Sequence, residues 1–390
     1  MTPAARVQAA IEVLDRIRAG AATEQALTGW ARGARYAGSK DRAAVRDHVF
    51  GAIRCRRSYA ALGGGETGRS MMIGAVRAVG DPVDALFTGQ PHAPEPLSDA
   101  ERAAGSAPEG AARLDLPDWL VPVFHDSLGS AAEPTALALR DRAGVHLRVN
   151  TARISRADVV EVLAGDGVEV CPHPAAETAL TVLEGARRVR QGRAFADGLV
   201  ELQDAASQAL ALEVPAVGAR RILDYCAGGG GKALALAARG FDVTAHDAAP
   251  ERMRDLPARA DRAGARVRIV QGDRLSGLDP FDVVVCDVPC SGSGSWRRAP
   301  DGKWALTPGR LDELCRIQAQ ILDQVVPFVA AGGALVYATC SVLTAENGAQ
   351  VDAFLGRNAG WRVQSQRAWP VTGGEAGTDG FFASVLTRDT

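Results

Sequence analysis

The chain has 390 residues, 47% of them hydrophobic, and a formal net charge of −2. This length suits two or three domains, and the composition excludes a disordered or uniformly basic protein. No apolar run reaches 18 residues and the amino terminus has no signal-peptide pattern. We therefore expect neither a membrane span nor export by such a signal.

The first part of the chain is predicted to be helical. Apolar positions such as Val7, Ile11 and Leu14 recur at spacings of three and four, which is typical of amphipathic helices. Residues 1–60 contain 11 basic and 5 acidic residues, whereas 61–140 contain 5 and 11. The pattern predicts a basic, all-α amino-terminal domain over residues 1–90.

Three further segments follow this domain. Residues 91–144 begin with a stretch rich in Pro, Gly, Ala and acid and are predicted to be a linker with connecting helices. A strand, a helix capped near Ser155 and another strand predict a small α+β module over 145–205. Residues 206–390 alternate apolar strands with helices, which is typical of a doubly wound α/β sheet covered on both faces.

A glycine-rich loop, DYCAGGGGK, joins the first strand of the predicted sheet to a helix. This arrangement lets the backbone approach a ligand closely and points helix N–H groups at it. A phosphate-binding P-loop is excluded, because Cys226 stands where its first glycine belongs and Ala233 replaces its Ser or Thr. A nicotinamide site stays open, since Gly228, Gly230 and Ala233 satisfy the loose GxGxxA pattern.

Two carboxylates are candidates for contacts to a nucleotide. Asp247 ends the second predicted strand. An acid at this point accepts hydrogen bonds from ribose hydroxyls in NAD sites and in S-adenosylmethionine sites alike. Asp273 ends the third strand and is placed either at an adenine edge or at a helix cap. Neither residue separates the two kinds of nucleotide site.

The two cysteines Cys290 and Cys340 follow the ends of apolar strands, in VVVCDVPCSG and ALVYATCSV. Ligands of a doubly wound sheet bind beyond the carboxyl ends of its strands, and neighbouring strands lie about 4.8 Å apart. We therefore expect the two thiols to lie together in a ligand site. Metal binding is not expected, because neither loop contains a histidine. The absence of CxxC pairs fits reduced thiols in a cytoplasm.

A pair of thiols beside an acid suits methyl transfer to carbon 5 of a pyrimidine. That carbon is a poor nucleophile until a thiolate adds to carbon 6 and makes the ring an enamine. One cysteine then serves as nucleophile, the acid holds the cytosine edge, and the second cysteine assists release. A free thiol of pKa about 8.5 is only slightly ionised at neutral pH, so the site must lower the pKa of the nucleophile.

The sequence resembles the Sun/Fmu-type (Nol/Nop/Sun) RNA cytosine-5 methyltransferases over residues 145–387. The first module, including GSKDRAAVRDHVFGAIR, more weakly resembles the NusB-like RNA-binding domain of members that modify ribosomal RNA. The matching motifs are LRVNT (147–151), QDAASQ (203–208), DYCAGGGGK (224–232), DVPCSGSG (287–294), RRAPDGKW (297–304), YATCS (337–341) and DGFFAS (379–384).

The resemblance implies a class I methyltransferase, Rossmann-like sheet with S-adenosylmethionine as cofactor. It implies that Cys340 is the nucleophile, that Cys290 assists product release and that Asp287 holds the cytosine. The expected cofactor-binding residues are Cys226, Ala227, Gly228, Gly230, Gly231, Lys232, Asp247, Asp273 and Asp287. The expected RNA-binding residues are Pro289, Arg297, Arg298 and Lys303.

One departure from the family concerns the glycine loop, which usually reads CAAPGGKT. Here Gly229 takes the proline position and Ala233 the threonine position. Loss of the proline removes a constraint on φ, so the loop is expected to be more mobile without ligand.

The leading hypothesis is methylation of carbon 5 of a cytosine in RNA through a covalent Cys–cytosine intermediate. Small-subunit (16S) ribosomal RNA is the favoured substrate, with tRNA as the alternative. Other classes kept open are a noncatalytic RNA-binding ribosome assembly factor and a nicotinamide oxidoreductase. We expect a cytoplasmic monomer with an RNA partner, no membrane association and no metal.

Overall fold

The computed structural model describes residues 1–215 and 218–388. The helices are α1 (Pro3–Arg18), α2 (Thr23–Gly33), α3 (Ser39–Arg54), α4 (Arg56–Gly63), α5 (Gly68–Val79), α6 (Asp99–Ala103), α7 (Gly110–Leu114), α8 (Leu120–Leu128), α9 (Ala132–Ala138), α10 (Arg156–Gly165), α11 (Arg193–Ala196), α12 (Ala205–Glu213), α13 (Gly231–Ala238), α14 (Leu256–Ala263), α15 (Asp301–Ala305), α16 (Pro308–Val325) and α17 (Gly348–Arg357). The strands are β1 (Val145–Val149), β2 (Glu169–Pro172), β3 (Ala179–Glu184), β4 (Val200–Leu202), β5 (Arg221–Asp224), β6 (Asp242–Ala245), β7 (Val267–Ile269), β8 (Phe281–Asp287), β9 (Val329–Thr339), β10 (Trp361–Trp369) and β11 (Phe381–Arg388). Within the described residues, no helix is both long and apolar enough to cross a bilayer.

The chain forms two compact units. The helical unit comprises residues 1–125, 129–142 and 296–305, and the sheet unit comprises 126–128, 143–295 and the chain from 306 onward. The assignment of 296–305 to the helical unit was not expected from the sequence, because this segment follows the Cys290 motif directly.

The helical unit is built from amphipathic helices around an apolar core. Thr2 caps α1 by accepting a hydrogen bond from the Ala5 N–H, and Pro3 occupies the first helical turn, where its missing N–H costs nothing. Val13, Val49 and Ile73 come from three different helices and are fully buried in this core. The helical character predicted for this part of the chain is therefore present, while its likeness to NusB stays a prediction.

Segment 296–305 packs against the end of α3 inside the helical unit. The Trp304 indole Nε1 donates to the Ile53 carbonyl at 2.7 Å, and Lys303 Nζ donates to the Arg54 carbonyl at 2.9 Å. The last carbonyls of a helix have no partner within the helix, so these side chains satisfy them. Trp296 stacks on Phe124 with ring centroids 6.0 Å apart.

The small module contains a four-stranded antiparallel sheet in the order β2-β3-β1-β4. Its central strand β1 pairs Leu147 with Leu180 of β3 on one side and with Leu202 of β4 on the other. Apolar side chains of this sheet and of α10 form a separate core cluster that includes Val159 and Leu163. The mixed α and β pattern at this point of the sequence reflects this module.

The larger sheet has seven strands in the order β10-β11-β9-β8-β5-β6-β7. Strands β5 to β9 run parallel, whereas β10 and β11 form an antiparallel edge. Along β8, Val284 and Cys286 pack into one core cluster while Val283 and Val285 pack into another. Alternate residues of a strand face opposite sides, so the sheet is buried on both faces. This confirms the predicted doubly wound α/β fold.

Candidate active site

The candidate site lies at the carboxyl ends of the adjacent strands β5, β8 and β9. Asp224 ends β5, Asp287 ends β8 and Cys340 follows β9, so the parallel register brings all three to one edge of the sheet. A cavity of about 610 Å³ opens there. Predicted site residues in its lining are Cys226, Ala227, Gly228, Gly231, Lys232, Asp287, Pro289, Cys290 and Cys340.

The glycine-rich loop wraps around this cavity in a conformation that needs glycine. Gly228 and Gly230 have φ values of +50° and +79°, which side chains with a Cβ rarely adopt. A Cβ on Gly230 would also lie 2.2 Å from Leu256 Cδ1 of α14. Gly230 therefore turns the chain against α14, and α13 begins at the next residue with its free N–H groups near the cavity.

Asp247 shapes the loop from behind. It is buried after β6, where its carboxylate accepts hydrogen bonds from the Gly228 N–H at 2.8 Å and the Ala249 N–H at 2.9 Å, and pairs with Arg252 at 3.2 Å. Its predicted cofactor contact stays a prediction. Asp273 lies at a position whose side chain is outside the described part of the structure.

Two arginines that the sequence analysis did not single out hold the glycine loop, one from the small module and one from α14. Arg148 of β1 donates to the Gly231 carbonyl at 2.8 Å, and Arg259 of α14 donates to the Gly229 carbonyl. Glu201 of β4 accepts from Arg259 at 3.0 Å and also from Arg262. We call Arg148, Glu201, Arg259 and Arg262 the arginine brace. Only the tertiary fold brings these residues to the loop.

Asp224 was also missed as a separate candidate, although it begins the DYCAGGGGK motif. It is 1% exposed, lines the cavity and forms no hydrogen bond to another described side chain. Burial raises its pKa to about 7. A buried carboxylate that faces a cavity in this way fits a ligand with a positively charged group, such as an ammonium.

The buried Lys232 forms an ion pair with Asp287, whose side chain is 32% exposed, and Nζ and Oδ2 lie 2.6 Å apart. Burial alone would lower the pKa of Lys232, but the charge of Asp287 and the hydrogen bond it accepts outweigh burial and raise it. The lysine thus stays charged and holds the Asp287 carboxylate at the cavity wall.

The two cysteine sulfurs lie 3.4 Å apart, within the hydrogen-bonding range of thiols. A hydrogen bond from Cys290 lowers the pKa of Cys340; burial and Asp287 oppose this effect, while Lys232 supports it. The same bond, together with burial, raises the pKa of Cys290 well above its usual value. Cys340 is therefore the member of the pair that ionises first, with Cys290 as its hydrogen-bond donor.

The predicted RNA-binding residues are found in different places. The Pro289 carbonyl accepts from Gln318 Nε2 at 3.0 Å beside the cavity, and Arg298 is exposed. Arg297 is 2% exposed and Lys303 is 1% exposed, both packed in the helical unit. The sequence predicted that both bind RNA, Arg297 through phosphates. This prediction is corrected, because neither side chain is accessible in this structure and Lys303 donates to the Arg54 carbonyl.

Each cysteine of the chain is a free thiol. In the described residues, no group of three or more His, Cys, Asp or Glu side chains is arranged to hold a metal ion.

Comparisons with known proteins match the larger sheet and the small module with the residues that precede it. The family described as 16S rRNA methyltransferase RsmB/F matches residues 210–386, and the RsmF/B-like ferredoxin-like domain matches 116–190. Ribosomal RNA small subunit methyltransferase B of Salmonella newport is 35% identical over 291 residues, covering 71% of this chain and 67% of that protein. The Vibrio cholerae protein of the same name is 35% identical over 290 residues, covering 71% and 66%.

Solved structures share the fold. The crystal structure of PH0851 covers 100% of this chain and 99% of its own at 20% identity, with a TM-score of 0.77. The structure of NSun6 from Pyrococcus horikoshii with SFG covers 70% of this chain and 99% of its own at 19% identity, with a TM-score of 0.60.

Proposed function

Because the chain belongs to the RsmB/F family of 16S rRNA methyltransferases, we propose that it methylates carbon 5 of a cytosine in small-subunit ribosomal RNA. In this proposal Cys340 is the nucleophile and Cys290 assists release. The observation that carries it is the thiol pair, whose sulfurs lie 3.4 Å apart at the ends of β8 and β9 and whose pKa values are shifted in opposite directions.

S-adenosylmethionine is the cofactor, and when bound it supplies an electrophilic methyl group. The glycine loop, the free N–H groups at the start of α13 and the buried Asp224 fit such a ligand, which carries an ammonium and a carboxylate on its amino-acid end. We propose that Asp224 faces the ammonium, in addition to the cofactor-binding residues predicted from the sequence.

The reaction proposed for these residues begins at Cys340. Its thiolate adds to carbon 6 of the cytosine, forming a C–S bond and moving the electrons of the ring double bond toward carbon 5. Asp287, held by Lys232, accepts a hydrogen bond from the exocyclic amine and orients the ring. Carbon 5 would then take the methyl group, whose bond to the sulfonium sulfur breaks with both electrons staying on that sulfur.

Release reverses the addition. The proton on carbon 5 passes to a water molecule, the C–C double bond forms again, and the C–S bond breaks with its electrons returning to Cys340. The Cys290 thiol stabilises the departing thiolate through the same hydrogen bond that lowers the pKa of Cys340 at rest. Loss of Cys290 should therefore slow release more than addition.

The test is the fate of a Cys290→Ala variant mixed with 16S ribosomal RNA and S-adenosylmethionine. We expect a slower-migrating species on a denaturing gel that disappears with ribonuclease. The double variant Cys290→Ala, Cys340→Ala should give none, because no nucleophile remains. If the single variant accumulates no adduct on RNA that the wild type methylates, the division of roles between the thiols is wrong.

The site of methylation is read separately by bisulfite sequencing of 16S rRNA and tRNA after reaction with the wild-type protein. If a tRNA cytosine resists bisulfite conversion and no 16S rRNA cytosine does, the substrate is tRNA and not 16S rRNA. A noncatalytic assembly factor would leave the paired thiols and their pKa shifts without a role, so the geometry does not favour it.

A further inference from the structure

Glu346 is a fully buried carboxylate whose hydrogen-bond partners include the residues next to both thiols. Glu346 ends a single 3₁₀ turn, Thr344–Glu346, shortly after the Cys340 motif, and it is 0% exposed. Burying a charged group costs free energy unless hydrogen bonds replace its water. The identity of the groups that bond to Glu346 therefore indicates what its burial achieves.

The partners of Glu346 come from both cysteine loops. Its Oε1 accepts from the Ser291 N–H at 2.7 Å and from Gln318 Nε2 at 3.0 Å. Its Oε2 accepts from the hydroxyls of Ser291 and Ser341, each at 2.5 Å. Ser291 follows Cys290 directly and Ser341 follows Cys340, so one carboxylate connects the residues next to the two thiols.

The surrounding bonds fix the direction of the hydroxyl protons. Ser341 Oγ accepts from the Leu343 N–H at 3.0 Å, and Ser291 Oγ accepts from the Ser293 N–H at 3.2 Å. Ser341 Oγ also lies 2.9 Å from Ser293 Oγ and 3.4 Å from Ser291 Oγ. Because a carboxylate only accepts, Ser291 and Ser341 each direct their single proton at Glu346, and Ser293 donates to Ser341. All four partners donate, which matches an acceptor-only carboxylate and gives the strong, charge-assisted type of hydrogen bond.

We propose that Glu346 is a positioning residue for methyl transfer, which holds Cys290 against Cys340 by tying Ser291 and Ser341 to one carboxylate. This role rests on the function proposed above. It also explains why each cysteine in PCS and TCS is followed by serine. The negative charge of Glu346 contributes, after the Cys340 hydrogen bond, burial and the charge of Cys340, to the raised pKa of Cys290.

Removal of the carboxylate should loosen the pair without unfolding the chain. A backbone hydrogen bond from the Gly294 N–H to the Cys340 carbonyl, at 3.0 Å, still joins the two loops. The cofactor side of the cavity, formed by the glycine loop and Asp224, makes no hydrogen bond to Glu346 in the described structure. Substitution of Glu346 should therefore change the distance between the thiols but not the affinity for the cofactor.

The first measurement is the rate at which diamide joins Cys290 to Cys340, followed by mass spectrometry of the linked peptides. Disulfide formation releases two protons and two electrons, and the electrons reduce diamide to its hydrazine. With sulfurs 3.4 Å apart, the wild type should be linked readily. Glu346→Ala should slow linking at least fivefold, and Glu346→Gln, which keeps the length and one acceptor oxygen, should give an intermediate rate.

The second measurement is methyl transfer with the same variants. Glu346→Ala should lower kcat at least tenfold while the Kd for S-adenosylmethionine stays within twofold of wild type. The matched control is Val351→Ala, which truncates a buried side chain of the adjacent helix α17. This side chain is apolar and so takes no part in the hydrogen bonds of Glu346. The control variant should lower Tm but leave the linking rate and kcat within twofold of wild type.

The two measurements decide different statements. Equal linking rates in Glu346→Ala and wild type would overturn the positioning role, and so would slower linking with kcat no lower than in Val351→Ala. A wild type that methylates neither 16S rRNA nor tRNA would contradict the proposed function. In that case the linking rates would still decide whether Glu346 holds the thiols together.

Discussion

At the scale of single residues, the site separates two chemically identical side chains by their neighbours. Cys340 receives a hydrogen bond from Cys290 and the charge of Lys232, whereas Cys290 is buried close to Glu346. A thiol donor stabilises a thiolate acceptor, so ionisation of one cysteine keeps the other protonated. This asymmetry, with the Lys232 charge acting on Cys340, supports the role of nucleophile proposed for Cys340.

The asymmetry predicts how alkylation of Cys340 depends on pH. Only the thiolate reacts, so the rate with iodoacetamide should fall as pH drops through the lowered pKa of Cys340. Cys290→Ala removes the donor and should move this midpoint to higher pH. Peptide mapping after alkylation reports Cys340 separately from the other cysteines. An unchanged midpoint in Cys290→Ala would show that the hydrogen bond does not set the pKa.

Asp224 predicts a pH-dependent stability of the cofactor-free protein. Its folded pKa of about 7 lies above the ordinary value of 3.8, so the folded form holds a proton that the unfolded form loses. Its contribution to stability is fully present below about pH 4, is lost progressively as pH rises toward 7, and is then constant.

The free energy of unfolding of Asp224→Asn minus that of wild type should therefore be larger at pH 8 than at pH 5, by up to about 3 kcal/mol. Urea unfolding at both pH values measures the difference, in which the other titrating groups cancel. A gap between variant and wild type that stays constant with pH would mean that Asp224 is ionised in the folded protein throughout this range.

At the scale of elements, the arginine brace restrains the glycine loop, which lacks the proline usual in the family. Without a proline ring at position 229, the chain has no covalent restriction on φ there. The Gly229 and Gly231 carbonyls instead accept from Arg259 and Arg148, which come from α14 and β1. The loop is thus held by side chains outside the motif.

The brace predicts that loss of Arg259 weakens cofactor binding while the fold remains. Arg259→Ala leaves the Gly229 carbonyl and Glu201 without this partner, and we expect S-adenosylmethionine affinity to fall by about 1–2 kcal/mol, or roughly 5- to 30-fold in Kd. Arg254→Ala, an exposed arginine just before α14, is the matched control. Equal calorimetric affinities for the two variants would remove the brace from cofactor binding.

The sequence predicted those features that depend on local periodicity or on strand ends. The strands of the parallel sheet, the glycine loop and the meeting of Cys290 with Cys340 all follow from where apolar runs stop. Glu346 and the arginine brace were not predicted, because their hydrogen-bond partners are distant in sequence and come close only in the folded chain. For the same reason Arg297 and Lys303 were predicted to bind RNA: the sequence around them does not show that their side chains are buried in the helical unit.

At the scale of the whole molecule, segment 296–305 contradicts a simple separation of the chain at the Pro-rich connector. Deletion of residues 1–90 removes α3, to which Lys303 and Trp304 donate their hydrogen bonds. The truncated chain should expose Trp304, which packs against the core of the deleted helices, and should aggregate more readily than the full-length protein. Sedimentation of both proteins measures this, and a monodisperse truncated chain with unchanged Tm would show that the segment does not depend on the helices.

The same segment sets the order in which the protein can be completed during translation. Residues 1–142 leave the ribosome first, but the ten residues that satisfy the end of α3 arrive only after β1 to β8 have been synthesised. Contacts so distant in sequence close late, because the intervening chain must first lose its freedom. The carbonyls at the end of α3 therefore stay without these two donors until residues 303 and 304 have been synthesised. A chain that stalls before residue 296 should leave them, and the apolar surface against which Trp304 packs, exposed to water.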